Sequence, residues 1–326
     1  MILVTGGAGF IGSNIVAALN DAGHNDVVVN DFLGCEGKWR NLAKRQLADI
    51  VPPHQLMAWL GGRQLEAVIH MGAISETTAT DGDLVIETNF RLSMRILEWC
   101  AENRVPFLYA SSAATYGNGE AGFYDHPTIA HLRSLRPMNL YGWSKHLFDL
   151  AVLERQKSGA AMPPQWVGLK FFNVFGANEY HKGPMMSVLT RRFDDIKAGH
   201  TIELFKSHRD GIADGDQSRD FIAVADVTRV ITWLLSSPSV TGIFNVGTGK
   251  ARSFRDLIGA AYRALNLPER IAYIDMPLSI RDSYQYFTAA DTTRLIAAGY
   301  NGGFTTLEDA VKDYVDGFLN TADRYR

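Results

Sequence analysis

The stretch Ile2-Leu3-Val4-Thr5-Gly6-Gly7-Ala8-Gly9-Phe10-Ile11-Gly12-Ser13-Asn14-Ile15-Val16 decides how this chain is read. Ile2 to Val4 is a short apolar run that stops at glycine. From there Ile11, Ile15, Val16 and Leu19 recur at the spacing of one helix face. The segment therefore reads as strand, glycine turn, helix. Glycines at 6, 9 and 12 have separate tasks: a tight turn, close approach of backbone to a pyrophosphate, and close packing of helix on strand. The helix start adds unpaired N–H groups and partial positive charge, both suited to phosphate. Asp31 lies 19 residues beyond Gly12, at the end of a second apolar run, Val27-Val28-Val29. An acidic residue at that place meets an adenosine ribose. Strand, turn, helix and acid together point to dinucleotide binding rather than to a structural turn.

The identity of the dinucleotide turns on the next loop. A carboxylate at Asp31 accepts from a ribose 2′-OH and favours NAD. A 2′-phosphate beside it is repelled unless a cation intervenes. Lys38 and Arg40 are in reach as that cation, or are ordinary solvated charges. NADP and NAD both stay open on these residues alone.

Working outward, Ala67-Val68-Ile69-His70, Pro106-Phe107-Leu108-Tyr109-Ala110 and Trp166 to Phe172 read as further strands, and Leu84 to Asn103 as a long helix. Strands apolar on both faces and separated by helices belong to a parallel sheet covered on both sides. The fold class expected is α/β: a Rossmann doubly wound parallel sheet with a smaller α/β C-terminal substrate domain. Residues 1–173 are the expected dinucleotide-binding domain and 174–326 mostly the substrate domain. Two segments, Phe221-Ile222 and Phe244-Asn245-Val246, are expected to return to the main sheet. Ser207 to Ser218 is polar and glycine-containing, and reads as an exposed loop.

With 326 residues, 46% hydrophobic and 21% charged, the chain is too apolar for a disordered protein. A net charge of −3 leaves no basic surplus for nucleic acid. The first residues lack a basic segment of the secretory kind, and no stretch approaches the roughly 18 apolar residues of a membrane span. Cys35 and Cys100 form no disulfide framework and are expected as free thiols in a reducing cytoplasm. His70, His126, His131, His181, His200 and His208 show no paired metal spacing, so no metal is expected.

Tyr141-Gly142-Trp143-Ser144-Lys145 places Tyr and Lys four apart, on one helix face. An ammonium there stabilises tyrosinate. Bringing a phenol from about 10 to about 7 takes roughly 4 kcal/mol of differential stabilisation, to be shared by the lysine and a nicotinamide charge. Ser111-Ser112 follows the Phe107 to Ala110 strand, at the carboxyl end where such sheets bind ligands. Ser112 is placed to hydrogen-bond a sugar hydroxyl or the ketone derived from it; its alternative is a turn cap.

Gly6-x-x-Gly9-x-x-Gly12, Ser111-Ser112 and Tyr141-x-x-x-Lys145 resemble the extended short-chain dehydrogenase/reductases, the nucleotide-sugar epimerases and dehydratases. Longer segments are similar to the heptose-epimerising members: Ser111-Ser112-Ala113-Ala114-Thr115-Tyr116-Gly117, Phe172-Asn173-Val174-Phe175-Gly176, His181-Lys182-Gly183, Arg219-Asp220-Phe221 and Ala297-Ala298-Gly299-Tyr300. The likeness runs through nearly the whole chain. It implies NADP held by Gly6, Gly9, Phe10, Ile11, Gly12, Asp31 and Lys38, with Met71, Gly72, Ala73, Ser75, Asn89, Tyr141 and Lys145 completing its site. It implies Tyr141 and Lys182 as the acid–base groups, supported by Lys145 and Ser112. Asn173, Arg219 and Tyr284 are implied to hold the nucleotide sugar, with Phe205 and Ser207 near the nucleotide. The implied reaction is inversion at C6 of an ADP-heptose by transient oxidation, for lipopolysaccharide core heptose, in a homo-oligomer. The chain departs from the family pattern at Phe32, where Asn is expected, at Pro52-Pro53, where a basic residue is expected, and at Asp282-Ser283, where Gly-Arg is expected. A UDP- or GDP-hexose 4-epimerase and a non-catalytic NADP sensor are the competing readings. A 4,6-dehydratase lacks support, because Ser112-Ala113 offers no Asp-Glu pair.

Overall fold

The computed structural model describes residues 1–281 and 284–326. Seven strands form the central sheet: β1 (Ile2–Thr5), β2 (Val27–Asn30), β3 (Asp49–Val51), β4 (Ala67–His70), β5 (Phe107–Ser112), β6 (Trp166–Phe171) and, after three strands placed elsewhere, β10 (Gly242–Val246). Their order is β10-β6-β5-β4-β1-β2-β3, and every neighbouring pair is parallel. Alternation along β1 shows why the strands read as unbroken apolar runs. Ile2 and Val4 pack with Ile15 and Val16 of the Phe10–Asp21 helix on one face. Leu3 packs with Ile96 and Leu97 of the Leu92–Asn103 helix on the other. Each face is a buried core, so Ile2 to Val4 are all apolar, and the polar Thr5 at the strand's end is buried with a hydrogen-bond partner. This is the doubly wound α/β sheet expected.

The later strands are β7 (Asn173–Phe175), β8 (Ile202–Phe205), β9 (Ser218–Ala223), β11 (Ala251–Ser253) and β12 (Ile271–Ile274). They build a three-stranded sheet, β11-β9-β7, and a two-stranded parallel one, β12-β8. A third core of Phe175, Leu189, Phe193, Leu204, Leu257 and Val311 lies beneath them.

Two expectations need correcting. Phe244 to Val246 does join the main sheet, but Phe221-Ile222 does not; it pairs with Asn173 and Val174 of β7. β10 takes the edge of β6, from Gly242 against Val167 to Val246 against Phe171, while β9 finds a ladder on each of its sides, in β7 and β11, which an outer edge of the main sheet does not offer. The long helix is also uneven. Gly82–Ile86 and Leu92–Asn103 are joined by a wider π turn over Glu87–Arg91, which aims Asn89 back toward the sheet ends. Among the described residues no helix is long and apolar enough to cross a membrane. Asp282-Ser283 lies outside the described residues.

β1 and β4 lie side by side, and a buried histidine clamps them. His70 Nδ1 is 2.6 Å from Thr5 Oγ1, and its Nε2 is 2.8 Å from Ser93 Oγ. The Ser93 hydroxyl donates to Asn89 O, so it accepts from Nε2–H, and Nδ1 accepts from Thr5. Burial holds this imidazole neutral, with its pKa pushed down to about 3. Between about pH 6.5 and about 3 the unfolded chain takes up a proton that the folded chain refuses, so stability falls as pH falls through that window. His70→Asn is expected to flatten the acid side of the stability profile, measured by urea unfolding at pH 7 and pH 5. An equal slope in parent and variant rules out His70 as the source.

Candidate active site

The strand order reverses between β1 and β4, and a crevice opens above their carboxyl ends. The cavity there is about 1170 Å³, above the range that one small ligand needs. Gly6 forms its floor at φ +63°, and a Cβ on it would stand 2.7 Å from Gly72 N and 2.8 Å from Met71 C. Gly12 meets the turn so closely that a Cβ there would lie 2.1 Å from Gly6 O. Gly9 is the N-cap of the Phe10–Asp21 helix and offers no side chain to its N–H groups, so the helix start faces the crevice unfilled. This bare cradle fits a diphosphate.

Asp31 stands at one end of the cavity with both oxygens engaged. Ala8 N–H donates to Oδ2 at 2.9 Å, and Lys38 Nζ donates to Oδ1 at 2.6 Å and to Phe32 O at 2.8 Å. Lys38 and Arg40 therefore part company: Lys38 lines this cavity, and Arg40 lines a separate groove beside Tyr325. Met71, Gly72, Ala73 and Ser75 form the wall beyond β4. Asn89 does not reach the cavity. It is fully buried behind that wall, accepts from Ile74 N at 2.8 Å, and donates to Ile74 O at 2.9 Å and Ser144 Oγ at 3.0 Å. It fastens the Met71–Ser75 wall to the Leu140–Lys157 helix.

That helix begins at Asn139, whose side chain accepts from Gly142 N, and carries Tyr141 and Lys145 into the same cavity. Ser112 ends β5 opposite them and accepts from Ala114 N at 3.1 Å, so it is both turn cap and cavity wall. Burial pushes the Tyr141 phenol above its ordinary value. The Asp149 charge adds to this, and the facing Ser112 hydroxyl opposes it. With no cofactor charge beside it, burial dominates at this phenol. Burial also brings Lys145 down to about 8, with Asp149 working against it.

Lys182 enters from another wall, with its Nζ 5.2 Å above the Phe10 ring centroid. Burial lowers its pKa, and Glu179 opposes the shift. Its loop is fastened to the glycine turn by amides. Asn41 donates to Ala8 O at 2.9 Å and Asn178 O at 3.2 Å and stands 3.2 Å from His181 Nδ1, while Asn14 donates to Ala177 O at 2.8 Å. Asn173, Phe205, Arg219 and Tyr284 meet at the far end. Arg219 lies 5.2 Å over Tyr284 and 5.6 Å over Phe254, a buried guanidinium between aromatic rings. Ser207 is not with them: its N–H donates to Asp214 Oδ1 at 2.8 Å and its hydroxyl to Arg209 O at 3.1 Å, closing the loop.

Sequence reading passed over three cavity residues. His181, to which the sequence assigns no role of its own, lines the cavity, and burial together with Lys38 and Lys182 lowers its pKa to about 4. Its adjacency to Lys182 was the available signal. Arg191 and Arg192 line the far end from the Val188–Lys197 helix. Nothing in an amphipathic helix distinguishes such a pair from surface charge.

A sheet reversing over a bare glycine turn, with Tyr and Lys one helical turn apart above it, defines a nicotinamide-dependent crevice of the short-chain dehydrogenase/reductase kind. The chain belongs to the NAD dependent epimerase/dehydratase family, which matches residues 2–247. It is similar to the ADP-L-glycero-D-manno-heptose-6-epimerases of Nitratidesulfovibrio vulgaris (47% identity, 99% of each chain) and Fusobacterium nucleatum (43%, 100% of each). The crystal structure of the Helicobacter pylori ADP-L-glycero-D-manno-heptose-6-epimerase matches at TM-score 0.78 and 27% identity, over 97% of this chain and 95% of that one.

Gly6→Ala puts a Cβ against the β4 backbone at a left-handed φ. It is expected to lower the thermal midpoint and to weaken dinucleotide binding at least about tenfold, read by fluorescence titration of NADPH. Unchanged affinity contradicts the close approach.

Proposed function

We propose that this protein interconverts the C6 epimers of ADP-glycero-manno-heptose, serving heptose supply for lipopolysaccharide. The observation that carries this reading is the convergence of Tyr141, Lys145, Ser112 and Lys182 on one cavity in a chain similar over its full length to named 6-epimerases. Residues 1–173 serve as the cofactor half and 174–326 mostly as the sugar-nucleotide half. Gly6, Gly9 and Gly12 hold the diphosphate of the cofactor, with Phe10 and Ile11 beside it, and Met71, Gly72, Ala73 and Ser75 flank it.

The cofactor is NADP in this reading. Asp31 already accepts from Ala8 and is neutralised by Lys38, and the Lys38 ammonium beside it offers a 2′-phosphate its partner. Lys38→Ala is expected to weaken NADP by about tenfold or more and NAD by less than about twofold, measured by calorimetric titration. Equal losses for both assign the site to NAD.

Bound nicotinamide supplies reversible hydride transfer. The residues supply position and protons. Tyr141 exchanges the proton at the C6 oxygen, and Ser112 holds that oxygen by a hydrogen bond. Lys145 lends the charge that favours phenolate. Lys182, on a separate wall, exchanges the proton when the opposite face of C6 is presented. Arg219, between Tyr284 and Phe254, grips the diphosphate of the sugar nucleotide, which suits a forked cation. Asn173 binds the sugar, and Phe205 borders the nucleotide.

Purified protein incubated with either C6 epimer is expected to yield the other without net NADPH. Tight cofactor binding without turnover identifies a sensor, and turnover of UDP-hexose alone a 4-epimerase. Tyr141→Phe is expected to lower kcat at least about 10²-fold. Lys182→Met is expected to lose kcat comparably with cofactor retained; a rise in KM alone makes Lys182 a phosphate holder.

A further inference from the structure

Two buried charges take no part in the reaction above. Asp149 and Lys170 are both fully buried and meet at 2.7 Å. Asp149 follows Tyr141 and Lys145 at the same spacing of four on the Leu140–Lys157 helix, so the three stack along one face. Its carboxylate is fully used. Oδ1 accepts from the Tyr109 phenol at 3.1 Å, and Oδ2 accepts from the Ser111 hydroxyl and from Lys170, each at 2.7 Å. Lys170 also donates to Thr115 Oγ1 at 2.6 Å and stands 5.0 Å from the Tyr116 ring centroid. One carboxylate thus ties the helix to β5 and β6, the strand that ends in Ser112 and the strand beside it.

Fastening alone does not explain the charges, because apolar residues of the same volume fasten a buried contact as well or better. What apolar residues lack is a field, and Asp149 opposes the burial that drives Lys145 toward its neutral form. We propose that Asp149 and Lys170 are positioning residues for the Tyr141–Lys145 pair. They form a buried ionic seat that sets the helix register against β5 and β6 and supplies the counter-charge that keeps Lys145 an ammonium ion. The inference rests on the catalytic reading of Tyr141 and Lys145.

The titratable groups around Lys145 are Tyr141 and Asp149 on its own helix and His70 on β4. Tyr109 on β5, Lys170 on β6 and His146 lie beyond them, around Asp149. Burial keeps His70 neutral and Tyr109 protonated, so Asp149 and Lys170 are the lasting charges of this group.

The test compares parent, Asp149→Asn, Lys170→Met and the double variant Asp149→Leu with Lys170→Met, each loaded with NADP. Thermal midpoints, kcat and KM for the ADP-sugar are followed across the alkaline range. Asp149→Asn is expected to move the alkaline limb of kcat down by about one pH unit, and Lys170→Met to move it up. The double variant keeps its fold, and its limb moves down, because the nearer charge dominates. KM stays near the parent value. Limbs that stay in place, or that all move the same way, overturn the seat, as does a rate loss that merely tracks loss of folded protein. Should a single variant fail to fold, the double variant decides by the same limb. The pH dependence of Lys145 acylation, read by mass spectrometry, gives the same shifts without turnover. A parent that shows these shifts but does not epimerise ADP-heptose overturns the proposed function and leaves the seat standing.

Discussion

Nothing larger than hydrogen fits between the turn after β1 and the backbone after β4. Gly6 and Gly72 approach to the distance at which a single methyl group would collide, and this approach shapes the site. It lets the two strands at the reversal of the sheet stay paired to their ends while the chain leaves toward helices on opposite faces. The other walls of the cavity are arranged around the crevice so formed. The Phe10–Asp21 helix presents its open start, β4 continues into the Met71–Ser75 wall, and β5 ends in Ser112.

Dryness is the second constraint. The same burial raises the Tyr141 phenol and lowers Lys145 and Lys182, so each of the three is pushed toward its neutral form. Such groups hold protons loosely or tightly according to the charges that arrive beside them. In the proposed function the arriving charges are the cofactor and the diphosphate of the sugar, which ties proton transfer to a filled site. Arg219 shows the same economy of solvent: its guanidinium is buried between aromatic rings, and one nitrogen donates to Ser218 O.

Much of this was legible in local pattern. Gly6 to Gly12 revealed itself because strand, turn and helix periodicities change within a few residues. Tyr141 and Lys145 revealed themselves because a helix places residues four apart on one face. Asn89 and Ser207, expected at the cofactor and the nucleotide, lie off the cavity wall, and the sequence carried no sign of it. A polar residue at a site's margin looks the same in sequence whether it touches ligand or holds the wall that does, and here one clamps Ile74 and the other closes a loop. Phe221-Ile222 was misplaced because an apolar pair predicts a buried strand but not which ladder is free to receive it.

The sequence by itself determined the parallel sheet, the dinucleotide turn and the Tyr–Lys pair, because each depends on contacts between residues close along the chain. Only the tertiary structure decided that Lys38 faces Asp31 while Arg40 turns away, that Lys182 reaches the crevice through a loop held by Asn14 and Asn41, and that Asp149 of the Leu140–Lys157 helix meets Lys170. Those pairings join segments that no period or motif connects. Their energies come from desolvation and charge proximity, which exist only once distant parts of the chain share one interior.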